Sequence, residues 1–286
     1  MIINKTKDIR PVEYYEEITA RSDFSLNLKE LWQYRELLLI FSLRDIKVKY
    51  KQTTLGVLWV ILQPVIMVVI FTLTIGAIFP NIQNSTVPYP VFVYSGLIFW
   101  YLFANGVQNA SNSMLSNENI IKKIYFPRLI IPFSSIVVAL FDFTITFLLY
   151  VFILVLYEAE IDYMKFALYF PLALLINLLV IFGLGTFFAA LNIKFRDFRY
   201  MIPFMLQFLM FVCPVFYPSA IIKMAWVKYI FMFNPINAVL ELSRGIFLGS
   251  QVNWISILLG TGIAMIFFII GLVYFRKTES YFADIS

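Results

Sequence analysis

The chain contains 286 residues, of which 61% are hydrophobic and 14% are charged, and its formal net charge is +5. Soluble domains are about half apolar and about a quarter charged, so this composition predicts a membrane protein. Histidine is absent and none of the 11 glycines precedes a lysine, which excludes His-dependent catalysis, HExxH metal sites and an ATP-binding phosphate loop. We therefore expect no catalytic, cofactor-binding or metal site in this chain.

The first segment, residues 1–27, has acidic residues and no apolar stretch, so it is interpreted as a cytoplasmic lead rather than a cleaved signal. In Leu28–Gln52, apolar residues recur at helical spacing, which predicts an amphipathic helix lying in the membrane interface. The alternation of Asp45–Lys51 with period two weakens that prediction locally. A basic flank that only fixes topology is the alternative. The apolar positions are Leu28, Leu31, Trp32, Leu39, Leu43 and Ile46.

Six apolar runs fill most of the remaining chain, each near the ~20 residues that a helix needs to cross the hydrocarbon. We predict an all-α polytopic membrane protein, with six transmembrane helices within residues 53–277 and a cytoplasmic tail at 278–286. The runs are Leu55–Phe79, Val91–Met114, Leu129–Tyr157, Phe166–Leu191, Tyr200–Tyr217 and Trp254–Phe275.

Basic residues near these runs lie mostly on one side of the predicted membrane, and basic loops stay in the cytoplasm. We therefore expect a multi-pass protein of a bacterial inner membrane with both termini cytoplasmic and outer loops at 80–90, 158–162 and 218–253. The positive net charge reflects this topology, and no basic helix or aromatic sheet surface suggests nucleic-acid binding. The outer basic residues are Lys165, Lys223, Lys228 and Arg244.

A polar stripe follows the apolar first half of the second run, at positions i, i+3, i+4, i+7 and i+11. An amide that faces lipid loses its hydrogen-bond partners at a cost of a few kcal/mol, so the stripe must face protein or water. It either lines a water-filled translocation path or forms amide hydrogen bonds between helices. Its members are Asn105, Gln108, Asn109, Asn112 and Ser116.

Aromatic residues make up 19% of the chain and form two clusters toward the predicted outer half of the membrane. Aromatic rings can pack on the C–H faces of sugars, so these clusters are candidates for a substrate path. The alternative is an interfacial aromatic belt, which any membrane protein can have. The clusters contain Phe99, Trp100, Tyr101 and Phe103, and Phe208, Phe211, Phe216 and Tyr217.

Asp142 is the one acidic residue inside a predicted span. A buried carboxylate there is either an ion-coupling site or a hydrogen-bond partner for a neighbouring helix. The chain has no inverted repeat and no pair of broken helices of the kind that secondary carriers use. We therefore expect the energy for any transport to come from another subunit.

The outer segment Pro218–Asn253 is too long for a turn, and Asn234-Pro235 divides it into two helical stretches, Ala220–Phe233 and Ala238–Leu248. We predict a re-entrant hairpin, with a loop on the bilayer surface as the alternative. Asn237 is a candidate helix cap. Glu241 and Arg244 lie one turn apart, so an exposed ion pair is expected there.

Four strings of the chain resemble the membrane subunits of ABC exporters for polysaccharides and polyol phosphates, a family that includes O-antigen, capsule and wall teichoic acid permeases. The resemblance covers about Leu28 to Lys277 and leaves out the lead. The strings are RDIKVKYKQTTLGVLWVILQP at Arg44–Pro64, NENIIKKIYFPRLIIP at Asn117–Pro132, FRDFRY at Phe195–Tyr200 and NPINAVLELSRG at Asn234–Gly245.

The resemblance implies a homodimer of six-helix subunits with two ATPase subunits, which bind the ATP and Mg²⁺. It also implies export of an undecaprenyl-linked glycan through a central channel, and an outer gate that here includes Asn234, Pro235, Glu241 and Arg244. The alternatives are an ABC permease for lipids or small drugs and an ion-coupled carrier. The strings do not distinguish O-antigen, capsule and teichoic acid as the substrate.

The resemblance also implies a coupling segment in the loop after the second run, at Glu118–Arg128. Its alternating apolar and charged residues predict a short amphipathic helix that the Phe126-Pro127-Arg128 break ends. We expect this helix to dock on the ATPase, with simple anchoring at anionic headgroups as the alternative. The expected contact residues are Glu118, Ile121, Lys122, Lys123, Tyr125 and Arg128.

Overall fold

A computed structural model describes residues 28–51, 56–78, 88–159, 161–219 and 224–279. The elements of these ranges are α-helices, and the described residues contain no strand, which confirms the all-helical class. The lead at 1–27 and all but the first two residues of the tail lie outside the described residues. The described helices are α1 Leu28–Gln33, α2 Arg35–Lys51, α3 Leu58–Ile78, α4 Tyr89–Ser116, α5 Glu118–Ile121, α6 Ile130–Leu156, α7 Tyr163–Lys194, α8 Phe198–Val212, α9 Ala225–Phe233, α10 Pro235–Phe247 and α11 Trp254–Glu279.

Helix α4 is the centre of the bundle. It packs along its length on α6 and α7, and more locally on α3 and α10. Aromatic rings fill part of this core, such as Tyr94 and Tyr150, which stack with their centroids 5.1 Å apart. The Tyr94 hydroxyl donates to the backbone oxygen of Thr146 at 3.1 Å. Burial of α4 on most sides explains why its polar residues need partners within the protein.

Helices α7 and α11 cross in backbone contact at two glycines. A Cβ added at Gly183 would overlap the backbone of Phe267, and one added at Gly271 would overlap the Gly183 carbonyl. Small residues permit such close approach, which is a common way for transmembrane helices to associate. This crossing fixes the last helix of the chain against the longest one.

The predicted interfacial helix forms as two helices that meet at Tyr34. Helix α2 continues through Asp45–Lys51, so the weakening expected from the period-two pattern is wrong. Its inward side chains include Phe41 and Ser42, whereas Leu39, Ile40 and Leu43 are exposed. Helix α2 lies against α6. Its placement at the membrane interface stays a prediction.

Among the described residues, five helices are long and apolar enough to cross a membrane: α3, α4, α6, α7 and α11. The predicted fifth run, Tyr200–Tyr217, gives the 15-residue α8, which ends at Val212. The following residues, Cys213–Tyr217, are irregular. Their carbonyl groups are bonded by the protein: the Tyr89 hydroxyl donates to the Phe216 oxygen at 2.8 Å, and Arg244 donates to Pro214 and Val215.

Two consecutive helices, α9 and α10, follow as predicted for the outer segment, and residues 220–223 of the first predicted stretch lie outside the described residues. Asn234 caps α10 by accepting from the backbone N–H of Ile236 at 2.9 Å. The prediction that Asn237 is the cap is wrong, because Asn237 is buried inside the helix. Helix α10 packs on α7, α11 and α4.

Helix α7 begins at Asp162, on the loop that we expect to be external. The Asp162 carboxylate accepts from the backbone N–H groups of Met164 at 3.1 Å and Lys165 at 3.2 Å. The bond from the Lys165 N–H holds the pKa of Asp162 below its usual value, and the Lys165 ammonium, 3.3 Å away, adds to this. The cap is therefore charged at neutral pH.

Candidate functional site

The polar stripe of α4 faces two cavities. Asn105 lines a cavity of about 160 Å³, here called the deep cavity, together with residues of α3 and α6. Asn109, Asn112 and Ser116 line an open groove of about 590 Å³ between α2, α4 and α6, here called the polar groove. Gln108 is half-buried beside them. The stripe therefore faces space that can hold water or a polar ligand.

Lys49 of α2 lines both cavities. Its ammonium forms an ion pair with Asp142, which is only 4% exposed, and the Tyr50 hydroxyl donates to the other oxygen of the same carboxylate. Of the two roles left open for Asp142, the geometry favours the hydrogen-bond partner of a neighbouring helix. A buried carboxylate without such partners would be strongly unfavourable.

Arg44 connects α2 to the end of α4. Its Nε donates to Asp45 at 2.8 Å and its Nη2 donates to the side-chain oxygen of Asn117 at 2.6 Å. Its guanidinium also lies over the Phe41 ring, 4.9 Å from the centroid. Arg44, Asp45 and Asn117 all line the polar groove. A basic side chain is thus held at the edge of the amide stripe.

The aromatic residues expected on the substrate path lie in different places. Phe99, Trp100 and Phe103 are at most 2% exposed and pack in the core. They are therefore enclosed by the core in this conformation, and their place on a substrate path stays a prediction. Tyr101 lines the deep cavity. Phe208 and Phe211 are exposed on α8, and the hydroxyl of half-buried Tyr217 donates to the Phe211 oxygen at 3.2 Å.

The expected coupling loop contains a shorter helix than predicted. Helix α5 ends at Ile121, so the prediction that Phe126-Pro127-Arg128 ends it is wrong. Lys122 pairs with Glu118 at 2.9 Å, and the neighbouring Lys123 is exposed.

The loop nevertheless has a fixed base and an exposed tip. Phe126 is buried against Phe41, with ring centroids 5.6 Å apart, and Arg128 donates to the backbone oxygen of Glu279. Between these anchors and α5, Ile124 is 62% and Tyr125 is 74% exposed. Exposed apolar side chains on a fixed base are suited to docking on another protein.

Arg244 does not pair with Glu241, which corrects the predicted exposed ion pair. Arg244 is buried, and its guanidinium lies 4.3 Å from the centroid of the Phe92 ring as it donates to the carbonyls of Pro214 and Val215. Glu241 instead accepts from Asn237 at 2.9 Å and from Ser256 at 3.3 Å.

Sequence reasoning placed Arg44 and Lys49 on the interfacial helix or a basic flank and missed their place beside the stripe. The signal that could have found Lys49 was Asp142, because a buried carboxylate requires a cationic or donor partner. Nothing in the spacing identified that partner, since Lys49 and Asp142 are 93 residues apart.

These features define a polytopic helical membrane protein with polar cavities inside its bundle. The chain belongs to the ABC-2 type transporter family, whose sequence model matches residues 36–248. The resemblance described above is therefore confirmed. The family match covers α2 to α10 and includes both cavities and the coupling loop.

Similar curated proteins cover most of this chain. An O-antigen export system permease of Klebsiella pneumoniae is 31% identical over 255 residues, which is 87% of this chain and 95% of that protein. An O-antigen export system permease of Myxococcus xanthus is 29% identical over 68% of this chain and 74% of its own length. A polysialic acid transport protein of Escherichia coli is 26% identical over 71% of this chain and 77% of its own length.

Proposed function

We propose that this chain is the membrane subunit of an ATP-driven exporter that moves a lipid-linked polysaccharide outward across the bacterial cytoplasmic membrane. The observation that carries the proposal is the 31% identity to an O-antigen permease along 95% of that protein's length. Four of the five stripe residues line two cavities, which supports it, because a glycan needs hydrogen-bonding partners along its path.

The working assembly in this proposal is a homodimer with two ATPase subunits, which bind ATP and Mg²⁺. The tip formed by Ile124 and Tyr125 docks on the ATPase. Both termini are cytoplasmic, α8 with its irregular extension is the fifth of six spans, and the α9–α10 hairpin is re-entrant and gates the outer exit. The carrier lipid is undecaprenyl, and the glycan is an O-antigen, a capsule or a teichoic acid precursor.

The substrate path in this proposal is narrower than the sequence indicated. It includes Tyr101 and the four stripe residues that border the cavities, Asn105, Asn109, Asn112 and Ser116, and leaves out the three buried rings. Replacing Asn109 with Leu is expected to slow export without affecting membrane insertion. Thr144→Val is the matched control, because Thr144 is exposed on α6 and bonds only its own helix, to the Leu140 oxygen at 2.9 Å. Equal export by both variants would remove Asn109 from the path.

Deletion of the gene tests the function directly. We expect loss of surface polysaccharide, detected by staining intact cells, and accumulation of lipid-linked glycan in the cytoplasmic leaflet. Complementation with the chain should restore export only when the ATPase subunit hydrolyses ATP. A deletion strain with normal surface polysaccharide and altered lipid or drug export would favour the alternative, a permease for lipids or small drugs.

A further inference from the structure

The polar groove combines two cations with a row of amides and hydroxyls. The side chains of Arg44 and Lys49 are 35% and 38% exposed at its edge. Asn109, Asn112 and Asn117 supply amides, and the single carboxylate of the lining, Asp45, is paired with Arg44 at 2.7 Å. Asp142 pairs with Lys49 in the same way, so two carboxylates balance the two cations, and the groove offers their remaining N–H donors beside groups that can bind hydroxyls.

Both cations retain donors beyond those used within the protein. A lysine ammonium has three N–H donors, and the carboxylate of Asp142 occupies one from Lys49. A guanidinium has five, and Arg44 uses Nε and Nη2 for Asp45 and Nη2 for Asn117, which leaves the two donors of Nη1. Arginine and lysine with spare donors are the usual ligands of phosphate.

In the proposed orientation, the groove lies nearer the cytoplasmic ends of α4 and α6 than the deep cavity does. Asn109 lies two helical turns, about 10 Å, before the end of α4 at Ser116. Asn105 and Asp142 lie about 16 Å and about 18 Å from the ends of α4 and α6 that the proposed orientation makes cytoplasmic. Lys49 lines both the groove and the deep cavity. An anion bound in the groove would therefore contact a residue that also faces the deep cavity.

We propose that the polar groove is the loading site for the phosphate-bearing end of the lipid-linked substrate. Arg44 and Lys49 bind the phosphate ester, and the amides of Asn109 and Asn112 bind the adjoining sugar. The inference rests on the proposed function and adds to it the place where the carrier lipid enters the subunit. Asp142 holds Lys49 at the boundary between the groove and the deep cavity and is a positioning residue.

Binding of radiolabelled undecaprenyl diphosphate to the purified complex with its ATPase, in phosphatidylcholine nanodiscs, tests this site. Arg44→Gln should weaken binding about tenfold or more, because the charge-assisted contact from Nη1 is lost. Lys49→Gln would leave Asp142 buried without its cation, so the matched variant is Lys49→Gln with Asp142→Asn, which removes both charges. This double variant should weaken binding to a similar extent, and Lys49→Arg should retain the wild-type affinity.

Lys47→Gln is the control, because Lys47 is exposed on the same helix and lines neither cavity. It removes the same charge and should leave binding unchanged. Wild-type affinity in both Arg44→Gln and the Lys49–Asp142 double variant overturns the loading site. Competition by phosphatidylglycerol at equal concentration also overturns it, since the groove would then bind any anionic headgroup.

An export assay in cells separates failure of this inference from failure of the proposed function. If deletion of the gene leaves the surface polysaccharide unchanged, the proposed function fails. If deletion abolishes the polysaccharide and both groove variants restore it fully, the loading site alone fails. Loss of export by the groove variants, with normal export by Lys47→Gln and intact assembly with the ATPase, supports both.

Discussion

Arg244 is a buried cation whose partners are backbone carbonyls rather than a carboxylate. At membrane depth, irregular backbone is tolerated only where the protein supplies hydrogen bonds, and the residues after α8 are irregular. Arg244 and Tyr89 supply these bonds to Pro214, Val215 and Phe216. The role of Arg244 is thus to fix the irregular residues after α8 against the helix that we propose as the outer gate.

Replacing Arg244 with Met should destabilise the protein by about 2–4 kcal/mol, because it leaves buried carbonyls without donors. The measurement is thermal unfolding of the detergent-purified chain. Glu241→Gln is the control on the same helix and should have little effect, since Gln can still accept from Asn237. Equal destabilisation by the two variants would instead indicate that the two side chains act as a pair.

Residue-scale predictions succeeded where a residue type had few options. A carboxylate in an apolar run had to be bonded, and Asp142 is. The spacing of Glu241 and Arg244 permitted an ion pair but could not show that the carbonyls of Pro214 and Val215 lie closer to the guanidinium. Contacts between residues distant in the sequence are not encoded in local spacing.

At the scale of elements, the apolar runs predicted which segments are helical, but they did not predict where every helix ends. The five long helices agree with the predicted runs to within a few residues. The run at Tyr200–Tyr217 is continuous in hydrophobicity, yet its helix stops at Val212. Pro214 lies just beyond this end and disfavours helical geometry at Cys213. The position of Pro214 therefore predicts this break, whereas the apolar pattern does not indicate it.

The α7–α11 crossing predicts that Gly271→Ala weakens the fold. The new Cβ would overlap the Gly183 backbone, which cannot yield as a side-chain end can. Gly262→Ala is the matched control on α11, because its Cβ meets nothing within 4 Å. Alanine favours helix over glycine by about 1 kcal/mol, so this control should be neutral or slightly stabilising. Thermal unfolding of both variants measures the difference, and equal midpoints would contradict the crossing.

The coupling loop gives a prediction about its exposed tip. Tyr125→Ser should reduce affinity for the ATPase at least about tenfold, since aromatic anchors carry much of the binding energy of interfaces. Tyr163→Ser is the control, because Tyr163 is also largely exposed but lies at the start of α7, on the side that we expect to be external. Co-purification of the ATPase and its dissociation constant are the measurements. Full ATPase retention by Tyr125→Ser would move the docking surface elsewhere.

At the scale of the whole molecule, α3 is the one of the five long helices that the other described residues cover least. Only 11% of its most apolar window is buried, compared with 72% for α4. A dimer would cover part of this surface, and residues near a two-fold axis contact their own copies.

We therefore expect Leu73→Cys on α3 to form a disulfide-linked dimer in native membranes treated with a mild oxidant. Val155→Cys, equally exposed on α6, is the control and should stay monomeric on non-reducing gels. Cross-linking at Val155 without cross-linking at Leu73 would place the interface on another face.

The order of the elements was predictable from the sequence, but their packing was not. Helices such as α7 and α11 are apolar on nearly every side, so hydrophobic periodicity does not indicate which face is inward. The crossing is evident from the contact between Gly183 and Gly271 in the structure, and neither glycine indicates it in the sequence. The polar stripe was the exception, because amides reveal their inward face, and here they line the two cavities.

The short α8 has a consequence for the lipids around it. Fifteen residues give a helix about 22 Å long, whereas the hydrocarbon of a bilayer is about 30 Å thick. If α8 crosses the bilayer as proposed, either the irregular residues Cys213–Tyr217 span the remaining thickness, or the acyl chains beside α8 shorten or tilt, at a cost of fractions of a kcal/mol for each ångström of mismatch. In the second case the thinned leaflet would shorten the distance that a polar headgroup travels through the hydrocarbon.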